Sequence, residues 1–254
     1  MIAILSPAKT LDFEYSHTYD TCTMPSLLDY SINLIKELKN KSKDELIKLM
    51  GISQSLANIN YHRYQNWNKD FNLSNSYQAV FCFKGGVYVG LDVGNFNNQD
   101  IKYAQSHLRI LSGLYGVLKP LDLMQPYRLE MGTKLITKRG SDLYHFWGME
   151  ITNHINDLLQ INNEDIVVNL ASNEYFKSII PNKIKGNIID VKFLDTKNGT
   201  LKVISFFAKK ARGAMASFIM KNKVTSINEL KDFDGLGYHF NHSLSANNRL
   251  FFTR

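Results

Sequence analysis

Several short apolar segments of this chain end in polar clusters that could bind an anion. The segment Ile2–Leu5 is followed by Ser6 and Lys9, and the segment Ile166–Leu170 is followed by Ser172. Comparable clusters follow residues 79–83, 108–111 and 203–208. Small residues let a ligand approach backbone N–H groups, and Lys or Arg side chains neutralise an anionic oxygen. The clusters therefore indicate a site for phosphate.

The elements that would bring these clusters together are parallel strands. If the apolar segments are largely parallel, their carboxyl ends share one edge of the sheet, which is where open α/β sheets bind ligands. The alternative is that strand ends are polar in general and that glycines mark turns. That alternative explains any one cluster well, and explains five clusters with basic residues less well.

The same clusters leave room for catalysis. The candidate catalytic residues are Lys9, Glu174 and Lys177. A lysine there could act as base or nucleophile, and Glu174 as general acid or base on a nucleotide. Walker A, HExxH and GxSxG patterns are all absent from the sequence. We therefore expect a binding protein, with catalysis or the binding of a small phosphorylated ligand as the alternatives.

Residues 43–66 predict two helices joined by a tight turn. Gly51 suits the left-handed position that closes the first helix, and Ser53 suits the N-cap of the second. The segment resembles the helix-hairpin-helix of sequence-independent DNA-binding proteins, although Met50 and Ser53 replace a proline and a glycine of that motif. Backbone N–H groups of such a turn hold a DNA phosphate. The candidate contacts here are Gly51, Ile52, Ser53 and Arg63, and the alternative is an ordinary helical hairpin with an apolar seam.

Length and patterning predict one domain over residues 1–254 with a mixed α+β fold. The chain has 44% hydrophobic and 21% charged residues and no low-complexity linker. Asn198-Gly199 predicts an antiparallel hairpin, residues 142–159 an amphipathic helix, and Ser226 with Glu229 a capping box. Apolar runs fall far short of the roughly 20 residues of a membrane helix. With no leader pattern before Ile2, we expect a cytoplasmic protein without membrane contact.

Charge favours a polyanionic partner. The formal net charge is +7, and residues 199–224 contain six Lys or Arg and no Asp or Glu. The alternative for such a run is a solvated surface. His239 and His242 lack a partner motif, and Cys22 and Cys82 form no CxxC pair, so we expect neither metal nor cofactor.

Several blocks together resemble the YaaA family, also designated UPF0246. They are the N-terminal Ser-Pro-Ala-Lys-Thr, Phe-Lys-Gly-Gly at 83–86, the stretch 108–131, Asn-Leu-Ala-Ser at 169–172 and Ala-Lys-Lys-Ala-Arg-Gly at 208–213. The resemblance implies a peroxide stress protein linked to limiting free intracellular iron. It also implies a single mixed α/β domain that binds DNA through a basic cleft and a helix-hairpin-helix.

The family blocks supply seven candidate cleft cations: Lys9, Lys84, Arg128, Lys177, Lys209, Lys210 and Arg212. Arg128 could instead form a structural ion pair with Glu130. Four tyrosines beside basic or glycine-rich positions are candidates for stacking on unpaired bases: Tyr88, Tyr115, Tyr127 and Tyr175. The expected partner is DNA, duplex or non-canonical, and the sequence leaves the oligomeric state open.

Overall fold

The computed structural model of the protein describes residues 1–14 and 19–254. Its strands are β1 (Ile2–Leu5), β2 (Thr10–Leu11), β3 (Tyr77–Gln78), β4 (Phe83–Lys84), β5 (Leu108–Ser112), β6 (Gly116–Leu118), β7 (Leu123–Met124), β8 (Ile166–Leu170), β9 (Asn187–Lys197), β10 (Thr200–Lys202), β11 (His239–Phe240) and β12 (Arg249–Thr253). Its α-helices are α1 (Leu28–Lys39), α2 (Lys43–Met50), α3 (Gln54–Asn66), α4 (Ala79–Cys82), α5 (Gly86–Leu91), α6 (Asn98–His107), α7 (Leu143–Trp147), α8 (Glu150–Ile161), α9 (Asn173–Phe176), α10 (Ser205–Asn222) and α11 (Ile227–Leu230).

The centre of the fold is a mixed sheet. Within the described residues it has eight strands in the order β11-β12-β9-β8-β1-β5-β6, with β10 paired to β9. Strand β1 runs parallel to both β5 and β8, and β9 runs parallel to β8 and β12. The edge pairs β5 with β6 and β11 with β12 are antiparallel. The expected mixed α/β class is therefore confirmed.

The central strands are covered on both faces. Every residue of β1, β5 and β8 is buried, which is why they appear in the sequence as near-continuous apolar runs. Helix α10 packs against β1, β8 and β9, and α8 packs against β6. Because β1, β5 and β8 are parallel, their carboxyl ends lie at one edge of the sheet, as the sequence predicts for these three strands.

Two other predicted strands are wrong. Residues 203–208 form no strand, because β10 ends at Lys202 and α10 begins at Ser205. Residues 79–83 form mainly the short helix α4, with only Phe83 continuing into β4. Both segments are brief apolar runs, and a run of that length does not distinguish a strand from a buried helical turn. Lys209, Lys210 and Arg212 consequently lie on a helix rather than at a strand end.

Local signals predict turns and caps well. Asn198 and Gly199 have φ values of 53° and 70° and join the antiparallel pair β9 and β10. The Ser226 and Glu229 capping box forms at the start of α11. The helix predicted over residues 142–159 is divided into α7 and α8 at Gly148, where φ is 47°. In the described part of the chain, every helix is too short or too polar to cross a bilayer.

Candidate functional site

A cleft of about 430 Å³ lies at the carboxyl ends of β1 and β8. Ser6 directly follows β1, and Ser172 caps the helix α9 that follows β8. The Ser172 amide donates to the Ser6 Oγ at 2.8 Å, and the Ser6 hydroxyl donates to the Ser172 Oγ at 3.2 Å. These bonds place two hydroxyl groups side by side on one wall of the cleft.

The opposite wall comes from β4, α5 and α10. Lys84 ends β4, Gly85 and Gly86 lead into α5, and Lys209 and Arg212 reach the cleft from α10. Lys84 also pairs with Asp12 at 3.2 Å. A backbone hydrogen bond from Glu14 lowers the pKa of the Asp12 carboxyl, and the bond from Lys84 lowers it further. The cleft thus combines serine hydroxyls, a glycine-rich turn and cations.

Glycines allow α5 and α10 to cross closely. A Cβ on Gly213 would lie 1.8 Å from the Val87 carbonyl oxygen, and a Cβ on Gly90 would lie 2.0 Å from the Lys210 carbonyl oxygen. Only a residue without a side chain permits such an approach of two backbones. The crossing fixes where α10 presents Lys209 and Arg212 relative to the turn at Gly85 and Gly86.

Arg212 is the most distinctive charge of the cleft. Its side chain is half-buried, and burial lowers its pKa. Among the described residues no carboxylate or hydrogen-bond acceptor is paired with its guanidinium. A desolvated cation without a counter-ion is costly, and an anionic ligand would offset that cost.

A second group of charges continues from the cleft. Glu130 lies 2.9 Å from the Lys9 Nζ and 2.9 Å from an Nη of Arg128. The Arg128 Nε is buried without a hydrogen-bond partner in the described residues. Arg128 therefore does form the ion pair that the sequence left as an alternative, and Glu130 partly neutralises both cations.

Glu174 lines the cleft beside Ser172, where its Oε1 accepts a hydrogen bond from the Gly132 amide at 3.0 Å. Lys177 does not join it. The Lys177 Nζ lies 4.7 Å from the centre of the Tyr144 ring, in a separate hollow that also contains Asp142 and His145. Lys9 and Glu174 both line the cleft, so the expected meeting at one rim holds for these two residues. It does not hold for Lys177, which follows the four-residue helix α9 and lies in the separate hollow.

The predicted helical hairpin is formed by α2 and α3. Gly51 closes α2 with φ of 60°, and the Ser53 Oγ caps α3 by accepting from the Leu56 amide at 3.3 Å. Ile52 and Ala57 are buried, and the two helices pack against each other. The first turn of α3 leaves N–H groups without acceptors in the helix, as every helix start does.

The chain as a whole matches known proteins. The family model described as "Peroxide stress protein YaaA" matches residues 1–244. A UPF0246 protein of Saccharophagus degradans is 50% identical over 254 residues, which is 100% of this chain and 99% of that protein. The chain belongs to the YaaA family. The resemblance seen in the sequence blocks is confirmed, and the fold described above is that of this YaaA-family member.

Arg63 lies away from the hairpin turn in this YaaA-family chain. It occupies the last turn of α3, so ten residues separate it from Ser53, or about 15 Å along a helix axis. Burial lowers the pKa of Arg63, and the positive charge of Arg128 lowers it further. The neighbouring Tyr64 hydroxyl donates to the Arg128 carbonyl oxygen. Arg63 therefore belongs to the Arg128 group, which links the hairpin to the cleft.

The four tyrosines expected to stack on bases are buried. The Tyr88 hydroxyl donates to the Ser6 carbonyl oxygen at 3.1 Å, and the Tyr127 hydroxyl lies 2.6 Å from the Ser112 Oγ. Tyr115 bonds with Trp67 and Gln125. The stacking prediction is wrong for Tyr88, Tyr115 and Tyr127, whose hydroxyl groups bond within the YaaA fold. The ring of Tyr175 is also largely buried, although this residue lines the cleft.

No group of His, Cys, Asp or Glu side chains within residues 1–14 and 19–254 is arranged to hold a metal ion. Cys82 is buried in α4, where its thiol donates to the Gln78 carbonyl oxygen at 3.2 Å. Burial raises the pKa of this thiol well above its ordinary value, which removes it as a reactive thiolate.

Proposed function

We propose that this YaaA-family protein binds DNA without strong sequence preference through the cleft and the helical hairpin. The observation that carries the proposal is Arg212, a half-buried guanidinium without a partner in the described residues, beside Lys209 and a glycine-rich turn. Phosphate is the anion that such a set of donors suits.

Charges outside the cleft support a polymer rather than a small molecule. Lys9 lines the cleft, Arg128 shares the carboxylate of Glu130 with it, and Arg63 lies near Arg128 in the last turn of α3. The hairpin turn at the other end of α3 offers a second place for a backbone phosphate. Contacts of this kind neutralise phosphates and carry no base recognition.

The volume of the cleft supports a second candidate. A cavity of about 430 Å³ is the size of a small-molecule site, so a phosphorylated metabolite would fit it without any use of the hairpin. Under the DNA proposal, the same volume receives a backbone phosphate of the strand that lies across it.

The role in peroxide stress comes with the family. Protection of DNA, or indirect regulation, would each connect DNA binding to the limitation of free iron. Neither connection requires a metal site on this chain.

The test compares two double variants of equal charge change. Fluorescence anisotropy is measured with labelled duplex, single-stranded and bubble DNA at two or more salt concentrations. Lys209→Ala with Arg212→Ala removes two cleft cations, and Lys183→Ala with Lys185→Ala removes two exposed cations before β9, at the other edge of the sheet. We expect the cleft variant to weaken binding to every DNA and to reduce the salt slope by about 2, roughly 1 per lost phosphate contact.

Equal losses in the two variants, or binding that does not depend on salt, would refute a DNA site in the cleft. Direct binding of a nucleoside monophosphate, measured by calorimetry and lost in the cleft variant, would instead establish the small-ligand candidate if no DNA binds.

A further inference from the structure

Phe206 is a large apolar side chain left in solvent beside the cleft. It is 71% exposed and lies in the first turn of α10. Lys209 and Lys210 follow it by three and four residues, and side chains with that spacing are neighbours on a helix surface. The ring therefore stands next to two cations, one of which lines the cleft.

The first turn of α10 borders the glycine-rich wall of the cleft. A Cβ on Gly86 would lie 3.2 Å from the Lys209 Cβ and 3.8 Å from the Phe206 carbonyl oxygen. Phe206 is thus held at a fixed position relative to the cleft by the same helix crossing that positions Arg212.

A series of side-chain contacts holds the Phe206 ring. Phe206 and Phe207 contact each other edge to face with ring centres 5.6 Å apart. The guanidinium of Arg254 lies 4.4 Å from the Phe207 ring centre, and the Arg254 Nε donates to buried Asp195 at 2.6 Å. Because Phe207 already holds the Phe206 ring on one side, the ring loses little conformational entropy when a planar group stacks on its exposed face.

We propose that Phe206 is a stacking platform for an unpaired base of single-stranded DNA whose phosphates occupy the adjacent cleft. The inference rests on the proposed DNA-binding function and specifies its substrate as DNA with unpaired bases. Charge complementarity selects this occupant, because residues 199–224 carry six Lys or Arg and no acidic residue. An aromatic ring within a cationic groove is the combination with which proteins bind single strands without reading sequence.

The experiment separates bases from phosphates. Anisotropy is measured with a labelled oligo-dT, with an abasic strand of the same length and charge, and with a duplex. We expect Phe206→Ala to weaken oligo-dT binding by about fivefold or more, which is the lower end of the effect of one base stack, and to change binding of the abasic strand by less than twofold. Phe206→Trp should retain the affinity for oligo-dT, since indole also stacks.

Ile161→Ala is the matched control. Ile161 is 79% exposed at the end of α8, which precedes the amino end of β8 and so lies at the edge opposite the cleft. Thermal unfolding and circular dichroism confirm that each variant is folded. Equal affinity of Phe206→Ala and the wild type for oligo-dT would overturn the stacking platform while leaving DNA binding in place, and so would an equal loss on all three probes. Failure of the wild type to bind any of the three probes would overturn both proposals.

Discussion

The crossing of α5 and α10 predicts that Gly213→Ala damages both stability and the cleft. The added methyl would lie 1.8 Å from the Val87 carbonyl oxygen and 2.6 Å from the Leu91 amide nitrogen. Ordinary contacts of a carbon atom begin near 3.5 Å, so the helices must separate by more than about 1 Å. Overpacking of this kind costs about 1–3 kcal/mol, and the helix propensity of alanine recovers up to about 1 kcal/mol. Because the clash is with backbone atoms, we expect the upper end of this cost and a net loss of about 2 kcal/mol.

Urea denaturation measures the loss, with Ser217→Ala on the same helix as the control for alanine substitution itself. Separation of the helices also moves Lys209 and Arg212 away from Gly85 and Gly86, so DNA affinity should fall in Gly213→Ala and remain unchanged in Ser217→Ala. Gly90→Ala should behave like Gly213→Ala, because its methyl would lie 2.0 Å from the Lys210 carbonyl oxygen. A Gly213→Ala protein as stable as the wild type would refute the close crossing and the explanation of the cleft that depends on it.

Three further predictions concern charge, the hairpin and pH. Glu130→Gln removes the carboxylate that lies 2.9 Å from both Lys9 and Arg128, so DNA affinity should rise and the salt slope should steepen, whereas weaker binding in an anisotropy titration would contradict the role of these cations. Gly51→Pro removes the 2.8 Å bond from the Gly51 amide to the Ile47 carbonyl and forbids the φ of 60°, at a cost of roughly 3 kcal/mol. DNA affinity should fall in this variant while competition by inorganic phosphate at the cleft persists; loss of both would show that the substitution acts on the whole fold. Burial lowers the pKa of His154 from 6.5 to about 4. Between these two pH values the imidazole is protonated in the unfolded chain and neutral in the folded protein. Stability from this group is therefore complete above pH 6.5 and is lost as the pH falls, by about 2 kcal/mol at pH 5, and urea denaturation of His154→Gln should show a shallower decline.

The sequence predicts those parts of the site that depend on local patterns. The near-continuous apolar runs of β1, β5 and β8 indicate buried parallel strands, and parallel strands bring the residues that follow them to one edge. Ser6 and Ser172 meet for this reason. The turn at Gly51 and the cap at Ser53 are equally local, because one needs a left-handed backbone and the other a hydroxyl.

Other parts depend on contacts between distant segments. Lys177 contacts the ring of Tyr144, and Arg63 lies near Arg128, through packing that no spacing pattern reveals. The apolar residues before Lys209 form a run that is typical of a strand. Only the close crossing of α5 and α10 at Gly213 shows that they belong to a helix. A signal was nevertheless present, since Ala208, Ala211 and Gly213 are small residues close together on a long segment without proline, which is typical of closely packed helices.

The tyrosines are a second case in which neighbours in sequence do not predict the surroundings of a side chain. A tyrosine next to a lysine or a glycine looks available to a ligand when only the sequence is considered. Tyr88 lies instead beneath Ser6 and bonds to its carbonyl oxygen, so its neighbours in sequence say little about its surroundings. Phe206 is the reverse case, because an apolar side chain is expected to be buried and the fold leaves this one exposed.

The pairing of Ser6 with Ser172 has a consequence for how the protein is made. The two residues are 166 positions apart, and β1 is placed between β5 and β8 in the sheet. A ribosome must therefore deliver about two thirds of the polypeptide before β1 gains its second neighbour, and contacts this distant in sequence form slowly. Until then one side of this entirely apolar strand has no neighbouring strand, which leaves the growing chain open to aggregation and to chaperones. Premature termination before β8 would remove Ser172 together with Lys209 and Arg212, so only a chain that extends through α10 has both walls of the cleft.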